Sequence, residues 1–207
     1  MITLYGSGQS RSFRALWALE ESGLDFEYNQ VKIGSKEKEG TQTELYKEIN
    51  FQGKVPSLKH GDLIINESIA ILNYIAALAP TAQLIPSNDI SKRAYYDEIC
   101  SFIVTDLEQP LWTNGKHRFV LPAEYRVKKL LKTTHWEFSK SLLALDHYIK
   151  GQQFAIDNKF TMADILISHT LQWANTFKFK IPQHLIDYQT TMYERPACLR
   201  AQQYNKK

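Results

Sequence analysis

At 207 residues, with 43% hydrophobic and 23% charged residues, the chain has room for one large domain or two small ones and the composition of a folded protein rather than a disordered one. Its net charge of +3 is spread among interleaved acids and bases, as in Lys36-Glu37-Lys38-Glu39, which argues against nucleic acid or a membrane as the partner. Cys100 and Cys198 stand far apart, the six histidines show no paired ligand spacing and no apolar run reaches membrane-spanning length, so no disulfide framework, metal site or transmembrane helix is expected.

Met1 to Tyr5 enters a strand-like segment without a basic or long apolar leader, and a reducing, cytoplasmic setting is the simplest expectation. Ile2-Thr3-Leu4-Tyr5 reads as a short buried strand, followed by a turn at Gly6-Ser7-Gly8-Gln9-Ser10. From Phe13, Leu16, Trp17 and Leu19 continue at helical spacing to Gly23, a residue suited to the left-handed position just past a helix end. Phe26 to Val31 alternates as a second strand, giving a β-α-β unit with a right-handed crossover. Residues 32 to 54 are polar, with one short helix near Thr43 to Glu48. Proline cannot donate to a strand ladder, so a strand is expected to begin at Pro56. After a Gly61-Asp62 turn, Leu63 to Ile65 forms another. Ile69, Leu72, Ile75 and Ala76 then mark a helix, with Asn66 as its N-cap and Glu67 and Ser68 in its first turn.

Pro80, Pro86, Ser87 and Asn88 break the pattern, which predicts a linker over 80–89 between a domain at 1–79 and an all-helical domain at 90–207. Tyr95, Ile99, Phe102, Ile103 and Leu107 place a helix over Ser91 to about Asn114 that Pro110 should end or kink. Ala123 to Lys150 reads as one long amphipathic helix stopped by Gly151. Thr161-Met162-Ala163-Asp164 has the form of a capping box with a structural role, and Pro182 and Pro196 punctuate two shorter closing helices.

The segment Asn50 to Ser68 carries chemistry of its own. A helix start offers free backbone N–H groups and a partial positive charge, which suit a carboxylate. Ser68 adds a hydroxyl donor and Glu67 an acceptor for an ammonium group, so the pair can read the α-amino acid end of a ligand. The alternative local reading is that Glu67 complements the helix dipole and Ser68 helps to cap it.

Leu4-Tyr5-Gly6-Ser7 through Ser10-Arg11-Ser12-Phe13-Arg14, the segment from Asn50 to Tyr74 with Val55-Pro56 and Glu67-Ser68, the Thr161–Asp164 box and the closing Arg195-Pro196-Ala197 occur in an order that resembles the cytosolic glutathione S-transferase family. The class resembled is bacterial, serine-type and theta-like, or unassigned. The resemblance implies an α/β thioredoxin-like N-terminal domain that binds glutathione, joined to an all-α helical C-terminal domain that contributes the electrophile site. It implies a cis peptide at Pro56, with the backbone of Val55 pairing with the cysteinyl part of glutathione. It also implies recognition of the γ-glutamyl group by Glu67 and Ser68, with Gln52 and Lys54 near the glycyl end. Asp106 lies where some relatives reach across a dimer to the ligand's amino group, and the family is usually a homodimer.

A free thiol is mostly protonated at neutral pH, and lowering its pKa by about two units takes roughly 2.7 kcal/mol of thiolate stabilisation. A hydroxyl donor plus a helix N-terminus can supply this. Ser10 falls where the serine-type classes place their catalytic serine, Tyr5 where the tyrosine-type classes carry their hydroxyl, and Ser12 two residues beyond Ser10. The alternatives are that Tyr5 packs in the core and Ser10 only caps the helix. Tyr95 and Trp112 are candidates for the second-substrate site, with Trp173 a weaker one whose spacing also fits the core. The expected function is a detoxifying glutathione transferase with glutathione as co-substrate and no cofactor or metal. The alternatives are a glutathione-dependent peroxidase or isomerase at the same site, or a non-catalytic interaction protein with this fold.

Overall fold

The computed structural model describes residues 1–149 and 151–204. Buried Ile2, Leu4 and Gly6 alternate with half-buried Thr3 and Tyr5 along β1 (Ile2–Gly6), so one face of this strand is committed to the core. The helix after it, α1 (Ser12–Ser22), is buried without a break from Ser12 to Leu19 and ends on Gly23 at φ +69. Then follow β2 (Phe26–Gln30), a single turn α2 (Glu44–Lys47), β3 (Ser57–His60), β4 (Leu63–Ile65) and α3 (Ser68–Leu78). The sheet order is β2-β1-β3-β4, with β1 and β2 parallel and the other pairs antiparallel. Strand β3 starts at Ser57, directly after Pro56, whose peptide with Val55 is cis.

By contact the chain divides into two units, Met1–Ser87 together with the residues from Tyr193 onward, and Asn88–Met192. The expected division placed everything after residue 90 in the helical domain. The closing helix α9 (Pro196–Gln203) instead packs on α1 of the first unit, burying Ala197, Cys198 and Ala201. Arg195 anchors it with two charge-assisted hydrogen bonds to Glu21, at 2.6 and 2.9 Å. Amphipathic spacing shows that a helix has an apolar face but not which core receives it.

In the second unit α4 (Ile90–Phe102) is capped by Asp89, whose side chain accepts from the N–H of Lys92; the expected linker stretch 80–89 holds a 3-10 turn at Pro80–Ala82 and the boundary between the units at Ser87 and Asn88. Pro110 was expected to end or kink this helix. Helical structure instead widens into a π turn at Ile103–Leu107, resumes as α5 (Glu108–Gly115) with Pro110 in its first turn, and runs through a second π turn to Val120. Pro110 lacks the N–H that would bond the Asp106 carbonyl four residues back, and the Ser141 hydroxyl donates to that carbonyl at 2.9 Å in its place.

The long helix expected over Ala123 to Lys150 is shorter. Ala123–Tyr125 is a 3-10 turn, Arg126 is extended, and α6 covers Leu130–Ile149, while Lys150 lies outside the described residues. Residues 122–129 are all exposed, so no packing of an apolar face supports a helix there. Helix α7 (Met162–Thr176) is buried from Met162 to Leu171 and carries the expected capping box. Asp164 accepts from the N–H groups of Thr161 and Ala155 at 2.7 and 2.8 Å and from the hydroxyl of Tyr188 on α8 (Gln183–Tyr193). Burial pushes the Asp164 carboxyl up, while these hydrogen bonds pull it down.

Candidate functional site

The sheet register decides which loops meet. Tyr5 at the end of β1 lies opposite Ser57 at the start of β3, and Leu58 lies opposite Ile65 at the end of β4. The turn after β1, the loop before β3 and the start of α3 therefore leave from one edge of the sheet. Ser10, Val55-Pro56 and Glu67-Ser68, distant in sequence, lie on loops at the same end of the sheet, because β1, β3 and β4 run up, down and up.

At the β1 turn the backbone passes close to its own helix. A Cβ on Gly6 would fall 2.7 Å from Ser12 Cβ, so a side chain is excluded there. The Ser10 hydroxyl accepts from the Ser12 N–H at 3.2 Å and donates to Ser12 Oγ at 2.9 Å, and Ser12 Oγ in turn accepts from the Ser7 N–H at 3.2 Å. Ser12 is fully buried, whereas Ser10 is partly exposed at the rim of the turn. Of the two residues, only Ser10 reaches the surface. Tyr5 is half-buried, with its ring edge-on to Tyr46 at 6.2 Å between centroids.

The loop before β3 is held from below by residues that sequence reading did not single out. Asn50 and Tyr46, both buried, converge on the Lys54 carbonyl at 3.1 and 2.7 Å and on Ser57 Oγ at 3.3 Å each. The Asn50 carboxamide oxygen also accepts from the Gln52 N–H at 3.0 Å. Burial raises the Tyr46 hydroxyl above its ordinary pKa, so it stays protonated and keeps donating. Tyr46 is placed by α2, whose N-cap Thr43 accepts from its N–H; that cap was the one signal in the sequence near this network. On the exposed side Lys54 Nζ donates to Gln52 Oε1 at 2.6 Å, so these two side chains lie together.

At the third loop the structure corrects the expected cap. Helix α3 has Glu67 as its N-cap residue, without a side-chain cap bond, and Ser68 as its first helical residue. Asn66 does not cap; its amide donates 3.1 Å to the Ile49 carbonyl and ties this loop to the segment before β3. Glu67 is exposed and uncommitted to the helix end, which is the arrangement a ligand-reading carboxylate needs.

The remaining candidates lie on the second unit. Asp106 is exposed in the first π turn and accepts from the Thr105 hydroxyl. Tyr95 on α4 donates 3.1 Å to the Tyr148 carbonyl. Trp112 on α5 is half-buried, with Lys116 Nζ 6.0 Å from its ring centroid, and Trp173 packs edge-on against Phe177 at 5.8 Å. Among the described residues no cluster of three His, Cys, Asp or Glu could hold a metal, and no helix is long and apolar enough to cross a membrane.

A model of the glutathione S-transferase N-terminal domain matches residues 1–77, and one of the glutathione S-transferase C-terminal domain matches residues 108–196. The chain is 29% identical over 185 residues to glutathione S-transferase GstA of Escherichia coli O157:H7, covering 86% of each chain. It is 30% identical over 183 residues to a Caenorhabditis elegans protein named "Probable maleylacetoacetate isomerase", covering 83% of this chain and 78% of that one. It also resembles the structure of a sphingomonad glutathione S-transferase complexed with glutathione, at 25% identity and a TM-score of 0.84 over 99% of this chain and 98% of the other.

Proposed function

The chain belongs to the glutathione S-transferase family, and we propose that it binds glutathione at the sheet edge of its first unit and transfers it, as the thiolate, to a small electrophile. The observation that carries this reading is that the β1 turn, the Val55-Pro56 loop and the Glu67-Ser68 helix start all leave from one end of the sheet. The Val55 backbone pairs with the cysteinyl part of the peptide. The α3 N-terminus and Ser68 hydroxyl receive the γ-glutamyl carboxylate, Glu67 takes the ammonium group, and Lys54 with Gln52 takes the glycyl carboxylate. Ser10 donates to the sulfur. Rotation of the two hydroxyls lets Ser12 donate to Ser10 Oγ while the Ser10 proton turns to the thiolate, so Ser12 acts as the positioning residue behind Ser10. Tyr5 is the competing donor. Aromatic residues of the helical unit, Tyr95 and Trp112 first, shape the electrophile site, and the protein works as a homodimer in a reducing cytoplasm.

The test is a thermal shift with glutathione followed by conjugation assays on a panel of electrophiles. Ser10→Ala should lower kcat/KM by about 10- to 100-fold, since one donor supplies part of the roughly 2.7 kcal/mol needed. The pH–rate limb should move toward the free-thiol value of about 8.5, while glutathione still stabilises the fold. Full activity with an unchanged pH profile, together with a large loss in Tyr5→Phe, would transfer the role to Tyr5. No stabilisation by millimolar glutathione would favour the interaction-protein reading.

A second reading rests on the relative named for maleylacetoacetate isomerisation. The same thiolate can add to an electrophilic alkene, allow rotation about the resulting single bond and then be expelled, which isomerises the substrate without consuming glutathione. Glutathione consumption per turnover separates the two: one equivalent for transfer, none for isomerisation.

A further inference from the structure

Between Gln109 and Trp136 the chain carries six Lys and Arg against one acid, Glu124, although the net charge of all 207 residues is only +3. In the second unit this stretch leaves the π turn at Lys116–Val120, passes Pro122 and the 3-10 turn Ala123–Tyr125, and enters α6. Arg118, Arg126, Lys128, Lys129 and Lys132 are exposed, and none of them is ion-paired among the described residues. The same stretch exposes apolar side chains: Phe119 is 57% accessible, Val120 48%, Tyr125 66% and Val127 48%. About two turns into α6, Trp136 is also 60% accessible, with Lys140 Nζ 4.8 Å from its ring centroid.

The segment is built rather than loose. Arg126 Nε donates to the Leu121 carbonyl at 2.6 Å and Nη2 to the Phe119 carbonyl at 2.9 Å. The Val127 N–H donates to His117 Nδ1 at 3.1 Å, and the Leu121 N–H to the Lys116 carbonyl at 3.0 Å. The carbonyls of Phe119 and Leu121 and the N–H groups of Leu121, Tyr125 and Val127 are thus bonded internally, while the apolar side chains stay exposed, Phe119 with its ring edge-on to Phe177 at 5.9 Å between centroids.

We propose that this basic, aromatic-tipped loop docks the protein peripherally on an anionic lipid bilayer. Lysines and arginines are complementary to the charged headgroups, and Phe119, Tyr125 and Trp136 are the side chains that settle at the boundary of headgroups and acyl chains. Internal bonding of the backbone lowers the cost of entering that boundary. Exposed Val120 and Val127 select a bilayer over a nucleic acid, because aliphatic side chains neither stack on bases nor contact phosphates favourably. The charge summed over the whole chain argued against a membrane; the surface concentrates that charge in one loop.

Co-sedimentation of the full-length protein tests this with vesicles of phosphatidylcholine alone and of phosphatidylcholine mixed with phosphatidylserine. Binding should be at least about tenfold tighter to the anionic vesicles and should weaken with salt. Lys128→Glu with Lys129→Glu should abolish it, and Phe119→Ser with Tyr125→Ser should weaken it at least about fivefold, each variant keeping the parent's thermal stabilisation by glutathione. Failure to sediment with either vesicle, equal binding to both, or binding indifferent to the Phe119 and Tyr125 changes would overturn the proposal. So would tighter binding to a single-stranded oligonucleotide than to anionic vesicles.

Discussion

Gly53 sits at φ +61, where a Cβ would collide with the Gln42 side-chain amide and lie 2.7 Å from the Thr41 carbonyl. Gly53→Ala is therefore expected to cost about 1–3 kcal/mol in a urea melt and to shrink the glutathione-induced thermal shift, because the strain falls on the loop that carries Lys54 and Val55. A variant with unchanged melt and shift would show that the loop relaxes freely. The paired serines make a second residue-scale case. Ser10 and Ser12 look interchangeable in sequence, yet one is at the rim and the other fully buried behind it. Glu67 makes a third: the sequence locates the helix start within one residue but gives the cap to Asn66, because Asn is a good cap locally. The amide goes to the Ile49 carbonyl instead, a partner seventeen residues away that no local rule contains.

At the scale of elements, α7 depends on Asp164, which closes the capping box and also receives the Ala155 N–H and Tyr188 hydroxyl. Asp164→Ala leaves buried donors without acceptors at about 1–3 kcal/mol each, so a loss of about 3 kcal/mol or more is expected in thermal or urea unfolding. A loss below about 1 kcal/mol would mean that water replaces the carboxylate. The Thr-x-x-Asp pattern was legible because its two bonds are local; the Tyr188 bond was not. The long helix through Pro110 shows the converse. Proline rules predict a break, and the break is averted by a wider turn upstream and by Ser141 supplying the donor that proline lacks. Ser141→Ala should cost about 1 kcal/mol, measurable as a lower melting temperature.

At the scale of the whole molecule, burial governs both cysteines. It pushes the thiols of Cys100 and Cys198 up from the ordinary 9.0 to about 12. Neither should react with iodoacetamide in the folded protein at neutral pH, which leaves glutathione as the reactive thiol; rapid labelling of either would contradict its burial. In the unfolded chain these thiols ionise near 9, so between about 9 and 12 the unfolded state binds fewer protons and stability falls as pH rises. Urea melts at increasing alkaline pH should show this decline, less steeply in Cys100→Ala with Cys198→Ala. Arg195→Ala, which strips the low-exposure Glu21 carboxylate of its bidentate partner, should cost about 1.5–3 kcal/mol and loosen α9 from the first unit. The βαβ-ββα order, the helical second half, the Val55-Pro56 turn and the α7 box could be read from residue order, since periodicity, proline and capping chemistry act over a few residues. The sheet register, the Tyr46-Asn50 support beneath the loop, the home of α9 and the solvent exposure of the apolar side chains within the basic stretch 116–132 could not. Each of these depends on which surfaces lie next to one another or face solvent, and the folded chain sets that through contacts between residues far apart in sequence.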